Sequence, residues 1–257
     1  MNSTKATLCA LALCSLSLAL SQASHAADDF KGSWTLMPSK ETGKVRFGLI
    51  HLRDGGNSHH ESDWPTSTFQ GLDLNARGKR DVQFNITRDA GQLRCEGFLN
   101  DGEGAGIFHF TPDTKFVQAL GALGFTGIDA EKQFAMAVHD VTVDFAKEMM
   151  GQNLSGLHSD QLIAFRIFAV TPQFIRELRA EGLSATTSDR LVAFRIHGVT
   201  PAKIRETRKS GLKPSEDQLI AMQIHGVTPE FIADLKLRGM HNLTIDQLVS
   251  LRIHGID

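Results

Sequence analysis

Cysteine is almost absent from this chain. Of three cysteines, Cys9 and Cys14 lie in an apolar amino-terminal stretch, and only Cys95 remains beyond it. One cysteine excludes an internal disulfide and a multi-cysteine zinc site. Alternation puts Leu93, Cys95 and Gly97 on one strand face and Arg94 and Glu96 on the other, so Cys95 is expected to be a small buried apolar residue rather than a nucleophile. Long apolar runs are lacking too. Residues 8–20 are apolar but too few for a stable span, and no later stretch approaches the roughly 18 residues such a helix needs. Nor does one sign of charge dominate. With 27 Lys and Arg against 29 Asp and Glu, the formal net charge is −2, neither a nucleic-acid footprint nor a polybasic membrane tail. No nucleic-acid partner and no membrane span in the mature chain are therefore expected.

What is present at the amino terminus is a leader pattern. Lys5 precedes the apolar residues 8–20, and Ser24-His25-Ala26 is a small-x-small cleavage site followed by Asp28 and Asp29. Residues 1–26 are therefore expected to be a signal peptide, and the mature protein to be periplasmic or secreted. Leu13 stands before Cys14 where a lipidation site needs a small residue.

The fold class expected is α+β, a small antiparallel β domain followed by an α-helical, helix-turn-helix repeat array. The β domain is assigned to residues 27–110. Val82, Phe84 and Ile86 alternate with Gln83, Asn85 and Thr87, and Arg88-Asp89-Ala90-Gly91 supplies turn chemistry before a returning strand at 92–99. Asn100-Asp101-Gly102-Glu103-Gly104 marks a second turn, before a strand at 105–110. This is an antiparallel meander. Residues 32–37 and 44–52 read as earlier strands, residues 54–65 as a polar loop, and Trp34 as a core anchor.

Residues 111–257 are assigned to the repeats. Ala169-Val170-Thr171-Pro172 recurs as Gly198-Val199-Thr200-Pro201 and Gly226-Val227-Thr228-Pro229, at steps of 29 and 28 residues. Asp160, Asp189, Asp217 and Asp246 recur at matching steps, each before Gln-Leu or Arg-Leu. Such a period marks stacked helical units. Within each unit, helix A opens on a capping box such as Ser215-Glu216-Asp217-Gln218 and ends at a glycine able to take a left-handed backbone. Thr then caps helix B, and Pro takes its first position, where no N–H is needed. Leu162, Ile163, Phe165 and Ile167 make helix A apolar nearly all round, so it is expected to be buried between neighbours. The array opens with a lone B helix and closes with a lone A helix. Leu248, Val249, Leu251 and Ile253 are thus expected to lack a covering helix and to pack back on the β domain or dock a partner.

Few residues suggest chemistry. His139, His197, His225 and His254 hold one repeat position, with Phe168 there in the remaining copy; helix-end contacts explain them better than a metal row. Arg166, Arg195 and Arg252 form a second row, expected to clamp units together with the Asp row as partner. Arg205, Arg208 and Lys209 make one B helix basic and are candidate interaction residues. His51, His59 and His60 are weak metal candidates. His60-Glu61-Ser62-Asp63-Trp64 stops one residue short of a zinc-peptidase motif, with Trp64 where the second His belongs. No catalytic set, cofactor site or phosphate loop is recognised, and the chain is expected not to be an enzyme.

The string Asp246-Gln247-Leu248-Val249-Ser250-Leu251-Arg252-Ile253-His254-Gly255, the Gly226-Val227-Thr228-Pro229 turn and the upstream Gly102-Glu103-Gly104-Ala105-Gly106 together resemble an exported bacterial helical-repeat family. That arrangement is similar to the extracytoplasmic C-terminal region of some antirepressor-type membrane metallopeptidases of the β-lactam-sensor class. The peptidase part has no counterpart here. The resemblance implies an exported sensory or interaction module. The expected partner is another envelope or exported protein.

Overall fold

The computed structural model describes residues 30–53, 56–183 and 186–255. The expected signal peptide, residues 1–26, lies outside the described residues. The architecture is α+β, with six strands followed by ten helices among the described residues.

Strands β1 (Lys31–Pro38), β2 (Lys44–Arg53), β3 (Gly56–Pro65), β4 (Lys79–Arg88), β5 (Gly91–Asn100) and β6 (Glu103–Pro112) form one antiparallel sheet in the order β3-β2-β1-β6-β5-β4. Two three-stranded meanders meet where β1 pairs with β6. The turns lie where the sequence placed them, at Asp89-Ala90 and Asp101-Gly102, the latter with φ of 50° and 88°. Trp34 anchors the inner face beside Phe47 and Phe84, and its Nε1 donates to Glu96 O at 3.1 Å. Gly97 and Gly106 face each other beneath it, and a Cβ on either would come within 2.8 Å of the indole. Cys95 is buried on the same face, and burial pushes its thiol pKa up.

The loop expected at residues 54–65 is instead strand β3 from Gly56 onward. Its polar composition hid a period of two. Val45–Trp64, Phe47–Ser62 and Leu49–His60 are register pairs, so Trp64, Ser62 and His60 share the face of the β2 core residues. An edge strand with one solvated face needs few apolar side chains, because β2 supplies its hydrogen bonds.

The helices are α1 (Thr114–Ala122), α2 (Ala130–Val138), α3 (Val143–Met150), α4 (Ser159–Ile167), α5 (Pro172–Ala180), α6 (Ser188–Ile196), α7 (Pro201–Lys209), α8 (Glu216–Ile224), α9 (Pro229–Leu237) and α10 (Ile245–Ile253). Helices this short are marginal alone, so packing must hold them. Their ends follow the sequence signals. Thr142, Thr171, Thr200 and Thr228 each cap the next helix through the side-chain oxygen, and Ser215 and Thr244 complete capping boxes. The turn before each capping threonine is left-handed, with φ of 69° at Gly198 and 67° at Gly226. Ala169 and Asp140 are forced to 54° and 55° at the same position.

Sheet and helices share a core. Phe134 of α2 stacks on Phe108 of β6 at 5.5 Å. The Gln133 amide donates to Ala90 O and Asp113 O, each at 2.7 Å. The continuous buried cluster runs from Phe30 to Leu219. A second, smaller one joins Met222, Val227, Phe231, Ile232, Leu235, Ile245 and Leu248.

Three kinds of contact recur between helices about 28 residues apart. At the N-terminal ends of α2, α4, α6, α8 and α10, Lys132 pairs with Asp160, Gln161 with Asp189, Arg190 with Asp217 and Gln218 with Asp246. At the other end of these helices, Arg166 donates to His139 O, Arg195 to Ala169 O and Arg252 to Gly226 O. Along α5, α7 and α9, Arg179, Arg208 and Lys236 donate to the carbonyls of Gln152, Glu181 and Ser210. The arginine row therefore clamps to backbone carbonyls, not to the aspartates. Those carbonyls stand at left-handed turns or the residue before one, where no helical partner exists. The aspartates serve a separate row at the opposite helix ends.

Candidate functional site

Helices α2, α4, α6, α8 and α10 each end on an aliphatic residue followed by an imidazole or phenyl ring. The full burial expected of these helices fails at this point. Val138 of α2 is 7% exposed, whereas Ile167, Ile196, Ile224 and Ile253 are 49, 53, 54 and 58% exposed. The reason lies in helix geometry. Leu162 and Phe165, Leu191 and Phe194, and Leu219 and Met222 fill the buried stripe. The isoleucine two residues further on projects past it. Phe168, His197, His225 and His254 are exposed beside these isoleucines as C-cap residues. The result is a ledge of four aliphatic–aromatic pairs.

Strand β3 meets the fifth pair, Val138–His139 of α2, and leaves these four open. The rings of His60 and His139 meet edge to face at 4.7 Å, in a cleft of about 450 Å³ lined also by Trp64, Arg88, Asp140 and Ile167. Trp64 Nε1 donates to Ser62 Oγ at 2.8 Å, and that hydroxyl lies 3.0 Å from His60 Nε2. Burial, with His59 nearby, lowers the pKa of His60. Burial, His60 and Arg166 together hold His139 at about 4. Asp140 bridges two guanidiniums, Arg88 Nη1 at 2.9 Å and Arg166 Nη2 at 2.8 Å. Two neutral imidazoles and a carboxylate shared by two arginines thus hold the sheet edge to the helices.

The three metal candidates do not converge. His51 is buried and stacked on Phe30 at 3.8 Å. Its Nδ1 donates to Lys31 O, and its Nε2 lies 2.9 Å from Glu131 Oε1. His60 faces His139, and His59 points to the outer face opposite Ile50. Among the described residues no group of three His, Cys, Asp or Glu side chains is placed to hold a metal ion.

The candidate interaction residues also separate. Arg205 Nη1 pairs with Glu181 Oε1 at 2.6 Å, and Arg208 bonds the same residue's carbonyl, so both tie α7 to α5. Lys209 remains exposed. On α10, Leu248 is buried in the smaller core, Val249 and Leu251 are half-buried against it, and Ile253 alone is largely exposed. Leu248 is therefore no docking residue, since packing with α8 and α9 has already taken it. The ledge was readable in part, because its residues share one repeat position. The sequence did not say that this position falls just beyond the buried stripe. No helix among the described residues is long and apolar enough to cross a membrane. Compared with family models, curated proteins and solved structures, the chain matches none.

Proposed function

We propose that residues 111–257 form a helix-turn-helix repeat array that acts as an exported interaction scaffold with no catalytic activity of its own. The row of four exposed isoleucines carries this reading. Burying one such side chain yields about 1.5–3 kcal/mol, and single exposed apolar residues are ordinary, but a periodic row is the usual mark of a binding surface. The recurring clamps support it, because they fix the spacing between successive pairs. The leader pattern and the family resemblance support a partner among envelope or exported proteins. The test is photo-crosslinking in the native envelope. A photoreactive side chain at position 196 or 224 should capture one defined partner, and the same probe at exposed Arg176 should not. Equal labelling from both positions would refute the reading.

The cleft favours a second reading, a small-ligand or metal-binding sensor, because two neutral imidazoles line it. Calorimetric titration with zinc, copper and nickel tests this. Heat lost on His139→Phe would support it, and no heat above the blank would dismiss it.

A further inference from the structure

We propose that the ledge takes an extended, acidic polypeptide segment of its partner, with an apolar side chain at every third residue. This rests on the scaffold reading above and adds the chemistry of the occupant.

The chain itself supplies the first piece of the interface. His139, in the corresponding pair of α2, meets an extended strand, β3, through His60, and Val138 and Trp64 line the cleft beside that contact. The cleft between them continues to Ile167, which begins the uncovered part. An extended partner segment would prolong the course that β3 begins.

Charge selects the character of that segment. Arg195 hydrogen-bonds the carbonyl of Ala169 and lies over the Phe174 ring, and Lys203 hydrogen-bonds the side-chain oxygen of Gln223. These acceptors are neutral, so neither cation is matched there by a carboxylate. Lys203 Nζ lies beside the Gly198 turn, next to the Ile196–His197 pair. Acidic side chains on the occupant would meet both cations.

Spacing selects the period. Packed helices stand about 8–10 Å apart, and three residues of polyproline-II chain advance about 9.3 Å. One apolar residue in three would therefore meet each pair in turn, whereas a flat strand repeats its face at about 6.7 Å and falls out of step.

The experiment is fluorescence anisotropy of labelled, end-blocked peptides titrated with the full chain. Four tandem Leu-Glu-Pro triplets form the test peptide. One control replaces Glu with Gln. The other keeps the composition but groups the residues as Leu-Leu-Glu-Glu-Pro-Pro, which breaks the period. Saturable binding of the first, weakened about tenfold or more in each control and abolished by Ile196→Glu with Ile224→Glu, supports the proposal. Both isoleucines are exposed, so an unchanged thermal midpoint certifies the fold of that variant. Equal binding of the regrouped peptide overturns the period, equal binding of the Gln peptide overturns the charge argument, and no binding overturns the occupant. None of these results touches the crosslinking test, which fails separately if the ledge is not an interface.

Discussion

The guanidinium of Arg195 on α6 lies 4.1 Å above the ring centroid of Phe174 on α5. Arg252 repeats this over Phe231 at 4.2 Å and Arg166 over Phe145 at 5.2 Å. In the remaining copy both partners change together. Lys203 stands in the phenylalanine position, Gln223 stands in the arginine position, and the two hydrogen-bond. The interruption in the arginine row is thus one member of a paired change, since an arginine there would face a lysine.

That pairing predicts a sign reversal. Gln223→Arg alone should lower stability by setting like charges together. Combined with Lys203→Phe it should raise stability by about 0.5–1 kcal/mol, the value of an exposed cation–π pair. Urea denaturation of both single variants and the double variant measures the coupling. Additive effects would show that the two positions do not communicate.

Ala169 and Asp140 occupy a left-handed position that Gly198 and Gly226 fill without strain. Ala169→Gly should therefore stabilise by about 1 kcal/mol through relief of a left-handed backbone. Asp140→Gly should destabilise despite the same relief, because the carboxylate shared by Arg88 and Arg166 is lost. Thermal midpoints moving in opposite directions check both.

The contrast explains what was legible in the sequence. Helix starts and stops depend on local chemistry, so Thr171-Pro172 and Gly198 could be read directly. The hydrogen-bond acceptor of Arg195 could not, because it is the backbone carbonyl of Ala169 at a distant turn and carries no residue signature. Strand β3 was missed for a related reason. An edge strand draws its stability from pairing with β2, and Ser58, His60 and Ser62 gave its period no apolar contrast. The ledge fell between these cases, its repetition visible and its exposure dependent on packing.

The His60–His139 contact makes stability depend on pH. The pKa of His139 is about 4 in the fold and near 6.5 when unfolded, so between those values the unfolded chain binds a proton that the folded chain does not. The contribution is fully present above about pH 6.5 and is lost as pH falls toward 4. The lowered pKa of His60 adds in the same sense. The other titratable or charged groups acting on or facing the pair are His59, Arg88, Arg166, Asp63 and Asp140. All of them are present in both proteins compared. His139→Phe, which copies the ring at position 168, should lose less stability between pH 7 and 4.5 than the parent. Urea midpoints at the two pH values decide, and parallel losses would remove His139 as the cause.

Leu248 and Ile253 lie on one helix, and their replacement should have unequal effects. Leu248 is 2% exposed in the smaller core of α8, α9 and α10, whereas Ile253 is 58% exposed. Leu248→Ala should cost about 2–5 kcal/mol, and Ile253→Ala should change stability by no more than about 0.5 kcal/mol. The smaller core is separate from the one beneath the sheet, so the Leu248 loss should stay local. Amide hydrogen exchange should show faster opening of α9 and α10 with unchanged protection in β5 and β6. Faster exchange throughout the sheet would mean that the two clusters unfold as one unit. Unchanged exchange in α9 and α10 would mean that Leu248 does not hold the carboxy-terminal helices in place.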